Sequence, residues 1–269
     1  MPRTLLPLLL LALLAPACRH RQKSGPRSVL GKTIDEGLVG VGGAEVRLVI
    51  GDHSRAAQTD AAGWFAFHGV PLGDGWVEAT ASGYFGERRG IRSGMVVLHL
   101  ERTRSIEGVV LFDGRPVEGA VVAAHPLPDG PAETGWSDAE GRFVVGGLRR
   151  GAHGVTVSLP PDARGADGAY LACRNDLRFS FEAGVGSARI EFPAGARVVV
   201  KTNFSSVTID GPAIVSRRYD VGPDRTLAVR GLPAGEYRVT FHHDDGKTQS
   251  VDESIAEGQE LPIEMYLPE

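Results

Sequence analysis

Short apolar runs separated by turn residues dominate the hydrophobic pattern of this chain. Within a run, apolar residues alternate with polar ones or fill a few consecutive positions, and Gly, Pro or Asp lie between the runs. The clearest runs are Val46–Ile50, Val96–Leu100, Val121–Ala124, Val155–Leu159, Val198–Val200 and Tyr237–Phe241. Val-rich runs of this length are typical of strands in β-sandwiches. Because no apolar period of 3.6 residues stands out, we predict an all-β chain of tandem small β-sandwiches.

Parts of the chain repeat each other. The segment Thr59–Phe65 (TDAAGWF) recurs as Ser137–Phe143 (SDAEGRF). A Gly-(Val/Leu)-x-x-Gly turn follows each copy and occurs a third time, at Gly69–Gly73, Gly147–Gly151 and Gly231–Gly235. In the third copy, Asp220–Asp224 replaces the Asp-x-x-Gly element. The pattern predicts three tandem modules, of which the third is divergent.

The Asp-x-x-Gly element has the chemistry of a tight turn. The side chains of Asp60 and Asp138 can accept hydrogen bonds from backbone N–H groups a few residues ahead, and Gly63 and Gly141 tolerate a positive φ. We therefore expect all four residues to be structural. Calcium binding is not expected, because the chain has no Asp-x-Asp-x-Asp-Gly loop.

The strand after the first turn predicts an outward-facing Trp64. Alternation puts Phe65 and Phe67 on one face, and Phe65 aligns with Phe143, so the Phe face should enter the core. Trp64 then points to solvent, where the second copy has Arg142. An exposed Trp can pack on a neighbouring domain or stack on a sugar ring. We favour domain packing, because no second aromatic follows on that face of the strand.

The order of these elements resembles the carboxypeptidase regulatory-like domain. The resemblance rests on a Gly-Ala-x-Val strand, the two turn motifs and, in the first copy, Ser82-Gly83-Tyr84. It implies a transthyretin-like (prealbumin-like) sandwich, grouped with carbohydrate-binding-like folds, at residues 28–103, 104–193 and, in divergent form, 194–269. It also implies noncatalytic modules of the kind that occur in tandem on exported bacterial proteins.

The N-terminus has the pattern of an export signal. Residues 1–18 combine a basic residue near the start, an apolar run and small residues before Cys18. The segment LAPAC that ends at Cys18 resembles a bacterial lipobox, in which the Cys is acylated. We therefore expect Cys18 to carry a lipid anchor and residues 19–27 to be a flexible tether. Because Ala15 and Ala17 also suit ordinary signal peptidase, the alternative is plain secretion.

Composition and motifs argue against several functions. The net charge of -4, with 29 Lys and Arg against 33 Asp and Glu, gives no basic field for nucleic acid. None of the eight histidines begins a His-x-x-Glu zinc motif, and the nearest approach, His242 to Asp245, is expected to be a solvated strand end. Lipidation of Cys18 would leave Cys173 alone, so no disulfide is expected. Without a nucleophile elbow, P-loop or dinucleotide motif, we expect no catalytic residue, metal or cofactor.

These patterns predict a noncatalytic lipoprotein of the cell envelope, at the outer membrane. It would serve as a structural spacer or as an interaction module for another envelope protein. The alternative is a carbohydrate-binding module for a surface or extracellular glycan. Exposed aromatics in a concave row would favour the sugar, whereas smooth polar sheets would favour the spacer.

Overall fold

The structure is a computed structural model that describes residues 27–92, 94–172, 174–175 and 177–267. In this part of the chain the regular elements are all β-strands, which confirms the predicted fold class, and each of the six apolar runs lies in or overlaps a strand. In chain order the strands are β1 (Arg27–Ile34), β2 (Glu45–Ile50), β3 (His53–Gln58), β4 (Trp64–Val70), β5 (Gly75–Thr80), β6 (Tyr84–Phe85), β7 (Glu87–Gly90), β8 (Met95–His99), β9 (Glu101–Arg102), β10 (Arg104–Phe112), β11 (Arg115–Pro116), β12 (Val121–Pro126), β13 (Glu133–Trp136), β14 (Arg142–Leu148), β15 (Ala152–Ser158), β16 (Tyr170–Leu171), β17 (Phe179–Glu182), β18 (Ala188–Phe192), β19 (Ala196–Thr202), β20 (Ser206–Asp210), β21 (Arg217–Asp220), β22 (Thr226–Leu232), β23 (Gly235–His242), β24 (Thr248–Ile255) and β25 (Glu260–Met265).

The chain divides into two compact units. The first contains the described residues up to Ala81 together with Gly86–Leu100, and the second contains Ser82–Phe85 and the residues from Glu101 onward. The boundaries at 103/104 and 193/194 stay a prediction.

The first unit is a β-sandwich. Its three-stranded sheet has the order β4-β1-β8, and its four-stranded sheet has the order β3-β2-β5-β7. Strand β4 buries Phe65 and Phe67, whose ring centroids lie 6.0 Å apart, and strand β2 buries Val46 and Leu48. Since alternate residues of a strand point to opposite faces, the Phe face predicted to be the core face is the buried one.

The second unit contains two further sandwiches, each with its own core. Strands β10 to β15, β17 and β18 form the second sandwich, whose core includes Phe143, Val145 and Ile190. Strands β16 and β19 to β25 form the third, whose core includes Tyr237 and Phe241. In all three sandwiches two positive-φ glycines flank the turn between consecutive strands, at Gly69 and Gly73, Gly147 and Gly151, and Gly231 and Gly235.

Strand β16 joins the second and third sandwiches. It lies inside the range 104–193 predicted for the second, yet it pairs in parallel with β22 of the third. Leu171 packs into the second core, whereas its neighbours Tyr170 and Ala172 pack into the third. Because successive residues of a strand face opposite ways, one short strand supplies both cores. The sheet of the third sandwich is therefore completed by a segment that precedes residue 194.

Candidate functional site

The two Asp-x-x-Gly elements form the same turn. The Asp60 carboxylate accepts hydrogen bonds from the N–H groups two and four residues ahead, at 2.9 and 2.8 Å. The Asp138 carboxylate does the same at 3.0 and 2.8 Å. Gly63 and Gly141 follow with φ of +84° and +73°. Each Asp therefore directs its side chain to its own turn.

Close packing also requires glycine at these two positions. A Cβ on Gly63 would lie 2.4 Å from the carbonyl oxygen of Thr33, and one on Gly141 would lie 2.5 Å from that of Val110. Both contacts are shorter than non-bonded atoms allow. The glycines thus combine a left-handed backbone with a close approach to the neighbouring strand.

The second turn is reinforced by charge. The Arg142 guanidinium donates a 3.1 Å hydrogen bond to the Asp138 carboxylate and a 2.7 Å one to Glu140. Desolvation raises the pKa of Asp138, but hydrogen bonds from the backbone and side chain of Arg142 outweigh it, and the pKa falls below its usual value. In the first turn, Trp64 replaces this arginine.

Sequence reasoning missed two buried hydroxyl groups behind the turns. The Thr59 hydroxyl accepts from the N–H of Ala44 and donates to the carbonyl of Val41, both at 2.9 Å. The Ser137 hydroxyl makes the matching bonds in the second sandwich, at 2.9 and 2.6 Å. The sequence signal was the hydroxyl residue that precedes the Asp in both copies, and its role is to satisfy buried backbone groups.

The third sandwich keeps the turn with different residues. The N–H of Gly222 donates to the carbonyl of Thr226 (3.1 Å), and that of Arg225 donates to the carbonyl of Gly222 (2.9 Å). The backbones of Asp60 and Gly63 make the same two bonds in the first turn. The equivalent turn is therefore Gly222–Thr226, two residues later than the segment that we aligned with it.

Trp64 lies on the outer face of the three-stranded sheet and is 43% exposed. The Lys32 Nζ lies 5.2 Å from the centroid of its ring. The strand register places Leu30 between Ala66 and Met95, and Leu30 and Met95 are 44% and 51% exposed. We call Leu30, Trp64, Ala66 and Met95 the Trp64 face. It is a mainly apolar surface that crosses three strands, and Lys32 lies on it opposite Trp64.

The second sandwich is polar at three of the four positions equivalent to the Trp64 face. The registers of β1 with β4 and of β10 with β14 align the two sheets, because Gly31 pairs with Phe65 as Gly108 pairs with Phe143. In place of Leu30, Trp64 and Met95, the second sandwich has Glu107, Arg142 and Ser187. In place of Ala66 it has Val144, which is 57% exposed. The apolar character of the Trp64 face is therefore not a requirement of the fold.

Two arginines of the third sandwich hold its junction with the second. The Arg217 guanidinium donates to the carbonyl oxygen of Leu159 at 2.7 Å and to that of the following proline at 3.0 Å. Arg230 donates to the Asp113 carboxylate at 2.8 Å and lies over the Phe112 ring, 5.5 Å from its centroid. Together with β16, these contacts bind the two sandwiches along their shared edge.

In the part of the chain that the structure describes, no group of three or more His, Cys, Asp and Glu side chains could hold a metal ion. The His242 Nε2 lies 2.8 Å from the Thr208 hydroxyl, and burial, followed by the charge of Arg218, lowers its pKa. His243 contacts Asp245 instead, at 2.9 Å. The adjacent histidines therefore face different partners.

Comparison by sequence finds no matching family model and no matching curated protein. Among solved structures, the chain is similar to the Bacillus anthracis TIE protein, with 13% identity, a TM-score of 0.29, and coverage of 90% of this chain and 51% of that one. A streptococcal ancillary pilin has 14% identity, a TM-score of 0.39, and coverage of 63% of this chain and 62% of that one. GBS52, the minor pilin of Streptococcus agalactiae, has 10% identity, a TM-score of 0.39, and coverage of 62% and 94%.

The chain thus spans about half of the TIE protein and less than two thirds of the streptococcal pilin. Every one of these TM-scores lies below 0.5, so the similarities assign neither a family nor a function to this chain. The resemblance to the carboxypeptidase regulatory-like domain likewise stays a prediction.

The predicted anchor lies outside the described residues, as do the signal segment, Cys18 and Cys173. Among the residues that are described, no helix has the length and apolarity to cross a membrane. Two features of the described residues are candidates for a functional site. One is the Trp64 face of the first sandwich, and the other is the junction between the second and third sandwiches.

Proposed function

We propose that this chain is a noncatalytic structural and protein-interaction module of the cell envelope. The observation that carries the proposal is the Trp64 face. Leu30, Trp64 and Met95 are each at least two-fifths exposed on the outer side of a sheet whose inner side is buried in the core. A partner that covered these side chains would remove apolar surface from water, which contributes up to about 1.5–3 kcal/mol for a residue of this size.

A protein suits this surface better than a sugar. Trp, with Tyr and Arg, is enriched among the residues that carry most of the binding energy of protein interfaces, and here the aliphatic side chains of Leu30 and Met95 lie on the same face of the sheet. Lys32 sits over the indole ring and competes with a sugar for that face. A glycan remains the second candidate, because the Trp64 ring is exposed enough to stack on one pyranose.

The experiment compares Trp64→Arg with a matched control on the same chain. Trp64→Arg introduces the residue that the second sandwich has at this position, so the fold should tolerate it. The control is Trp136→Arg, at a Trp that is 66% exposed in the second sandwich. A partner is first captured from envelope extracts, then purified and titrated against each variant. We expect Trp64→Arg to weaken binding by about tenfold or more and the control to bind like wild type.

Two results would contradict the proposal. The first is a purified partner that binds wild type and Trp64→Arg equally. The second is a saturable change in Trp fluorescence on adding envelope polysaccharide that is lost in Trp64→Arg, which would establish the glycan instead.

We propose further that a lipid on Cys18 attaches the module to the membrane, at the outer membrane. The support is the lipobox-like segment and the basic, polar stretch that follows it. Cys18→Ser should move the protein from the membrane fraction to the soluble fraction, because it removes the acyl anchor. Cys173→Ser is the matched control and should stay with the membrane. Unchanged fractionation of Cys18→Ser would refute the anchor.

A further inference from the structure

The second sandwich contains an insertion that the first lacks. Strand β15 ends at Ser158 and β17 begins at Phe179, whereas in the first sandwich only residues 81–86 separate β5 from β7. The insertion carries β16 and lies along the junction with the third sandwich. Long connections in compact domains are often functional, and domain junctions are common places for ligand pockets.

A pocket of about 330 Å³ opens at this junction. Its floor is apolar and includes the buried residues Phe112, Val117 and Leu171. Three arginines line it, Arg115, Arg164 and Arg230. The volume suits a molecule the size of one sugar residue.

Three elements position the three arginines. Asp113 and Gly114, both with positive φ, form a tight hairpin turn between β10 and β11 and place Arg115 opposite Phe112. Arg164 comes from the insertion, where it donates a 2.8 Å hydrogen bond to the carbonyl of Gly168 and lies 3.7 Å from the centroid of the Tyr170 ring. Arg230 comes from β22 of the third sandwich. The pocket therefore exists only where the two sandwiches meet.

The charge of the pocket is unbalanced. Arg230 faces two carboxylates, Asp113 at 2.8 Å and Asp167 at 3.8 Å. Within the described residues, Arg115 and Arg164 make no ion pair with a carboxylate. The Arg164 guanidinium is held by the Gly168 carbonyl and the Tyr170 ring. The Arg115 guanidinium is therefore the positive group that stays open beside the apolar floor, and its N–H groups can only donate hydrogen bonds.

We propose that this junction pocket binds a small organic anion, a carboxylate or phosphate group on a sugar-sized body. Guanidinium groups bind such oxyanions through paired, charge-assisted hydrogen bonds. A neutral sugar would need acceptors as well as donors, and the one carboxylate lining the pocket, Asp113, is engaged by Arg230. The site does not involve the Trp64 face, so either proposal can fail without the other.

Calorimetric titration of the full chain with glucuronate, glucose 6-phosphate and glucose tests the proposal. We expect one of the anions to bind at one site per chain, more weakly as salt is added, and glucose not to bind. The stronger of the two anions identifies the group as a carboxylate or a phosphate. Absence of binding by both anions, or equal binding of glucose, overturns the proposal.

The decisive variant is Arg115→Gln, because Arg115 lies on an exposed hairpin and its loss leaves both cores intact. It should weaken anion binding by about tenfold, the change expected when one charge-assisted hydrogen bond is lost. Arg164→Gln should act in the same direction. Arg189→Gln is the control, because this exposed arginine pairs with Glu191 on the sheet of the second sandwich. Wild-type affinity in Arg115→Gln, or an equal loss in the control, overturns the assignment.

Discussion

Arg225 occupies in the third sandwich the turn position that Gly63 occupies in the first, and both residues have positive φ, +60° and +84°. A residue with a Cβ pays roughly 1–2 kcal/mol for the left-handed conformation, whereas glycine does not. Arg225→Gly should therefore raise the free energy of unfolding of the third sandwich. We expect about 0.5–1 kcal/mol, because the greater freedom of glycine in the unfolded chain offsets part of the gain. Urea denaturation of the purified chain measures it.

The control for this prediction is Arg225→Ala, which removes the long exposed side chain and keeps the Cβ. It should leave the midpoint of the urea transition almost unchanged. An equal stabilisation by Ala and Gly would trace the effect to the arginine side chain and would contradict the backbone explanation.

Gly63 and Gly43 allow backbone strain to be separated from close packing. Both have positive φ, but a Cβ on Gly43 would meet nothing within 4 Å, whereas one on Gly63 would meet the Thr33 carbonyl at 2.4 Å. Gly43→Ala should cost about 1 kcal/mol of unfolding free energy from conformation alone. Gly63→Ala should cost a further 1–3 kcal/mol, roughly the penalty of overpacking. Thermal denaturation of the two variants checks the order, and equal losses would be inconsistent with the tight contact.

The local features of this fold could be predicted from sequence. Alternation along β4 assigned Phe65 to the core and Trp64 to the outside, because a strand with one buried face leaves no other arrangement. The turns at Asp60 and Asp138 follow from the hydrogen bonding of the Asp side chain and the freedom of a glycine three residues later. The alternation along a strand and the Asp-x-x-Gly pattern of a turn each depend on only a few neighbouring residues, so the sequence shows them directly.

The junction could not be predicted in this way. Strand β16 has only two residues, so it shows no periodicity, and its pairing with β22 depends on residues far away in the sequence. Arg225 gives no local signal of a left-handed turn, because arginine has no preference for that conformation. The pocket is hidden for the same reason: Arg115, Arg164 and Arg230 come together only through the packing of two sandwiches.

Loss of Arg217 should weaken the coupling between the second and third sandwiches. Its guanidinium satisfies the carbonyl of Leu159 and that of the next residue, so Arg217→Ala leaves two acceptors at the junction without this donor. We expect a loss of about 1–3 kcal/mol of unfolding free energy, and we expect the transition that the second and third sandwiches share to split into two steps. Calorimetric unfolding distinguishes one step from two.

Arg218→Ala is the matched control for the junction. Arg218 is the next residue, and its guanidinium donates to the Ser206 hydroxyl within the third sandwich. It should leave the second and third sandwiches with the one shared transition that we expect in wild type. Splitting in both variants would show that the third sandwich is destabilised in general, and splitting in neither would show that Arg217 does not couple the two.

The second sandwich should lose stability in acid through Asp138. The pKa of this carboxyl is raised by desolvation but lowered, on balance, by the hydrogen bonds from Arg142, so the folded state binds its proton more weakly than the unfolded state does. The stabilisation is therefore present above the ordinary value of 3.8 and disappears as the pH falls through the lowered pKa. Asp138→Asn should melt at a lower temperature than wild type at pH 7, and this difference in melting temperature should shrink as the pH falls below about 4.

Asp129→Asn, on the exposed loop after β12, is the control for this prediction. A difference between wild type and Asp138→Asn that stays constant from pH 7 to pH 3 would show that the charge of this turn does not stabilise the sandwich.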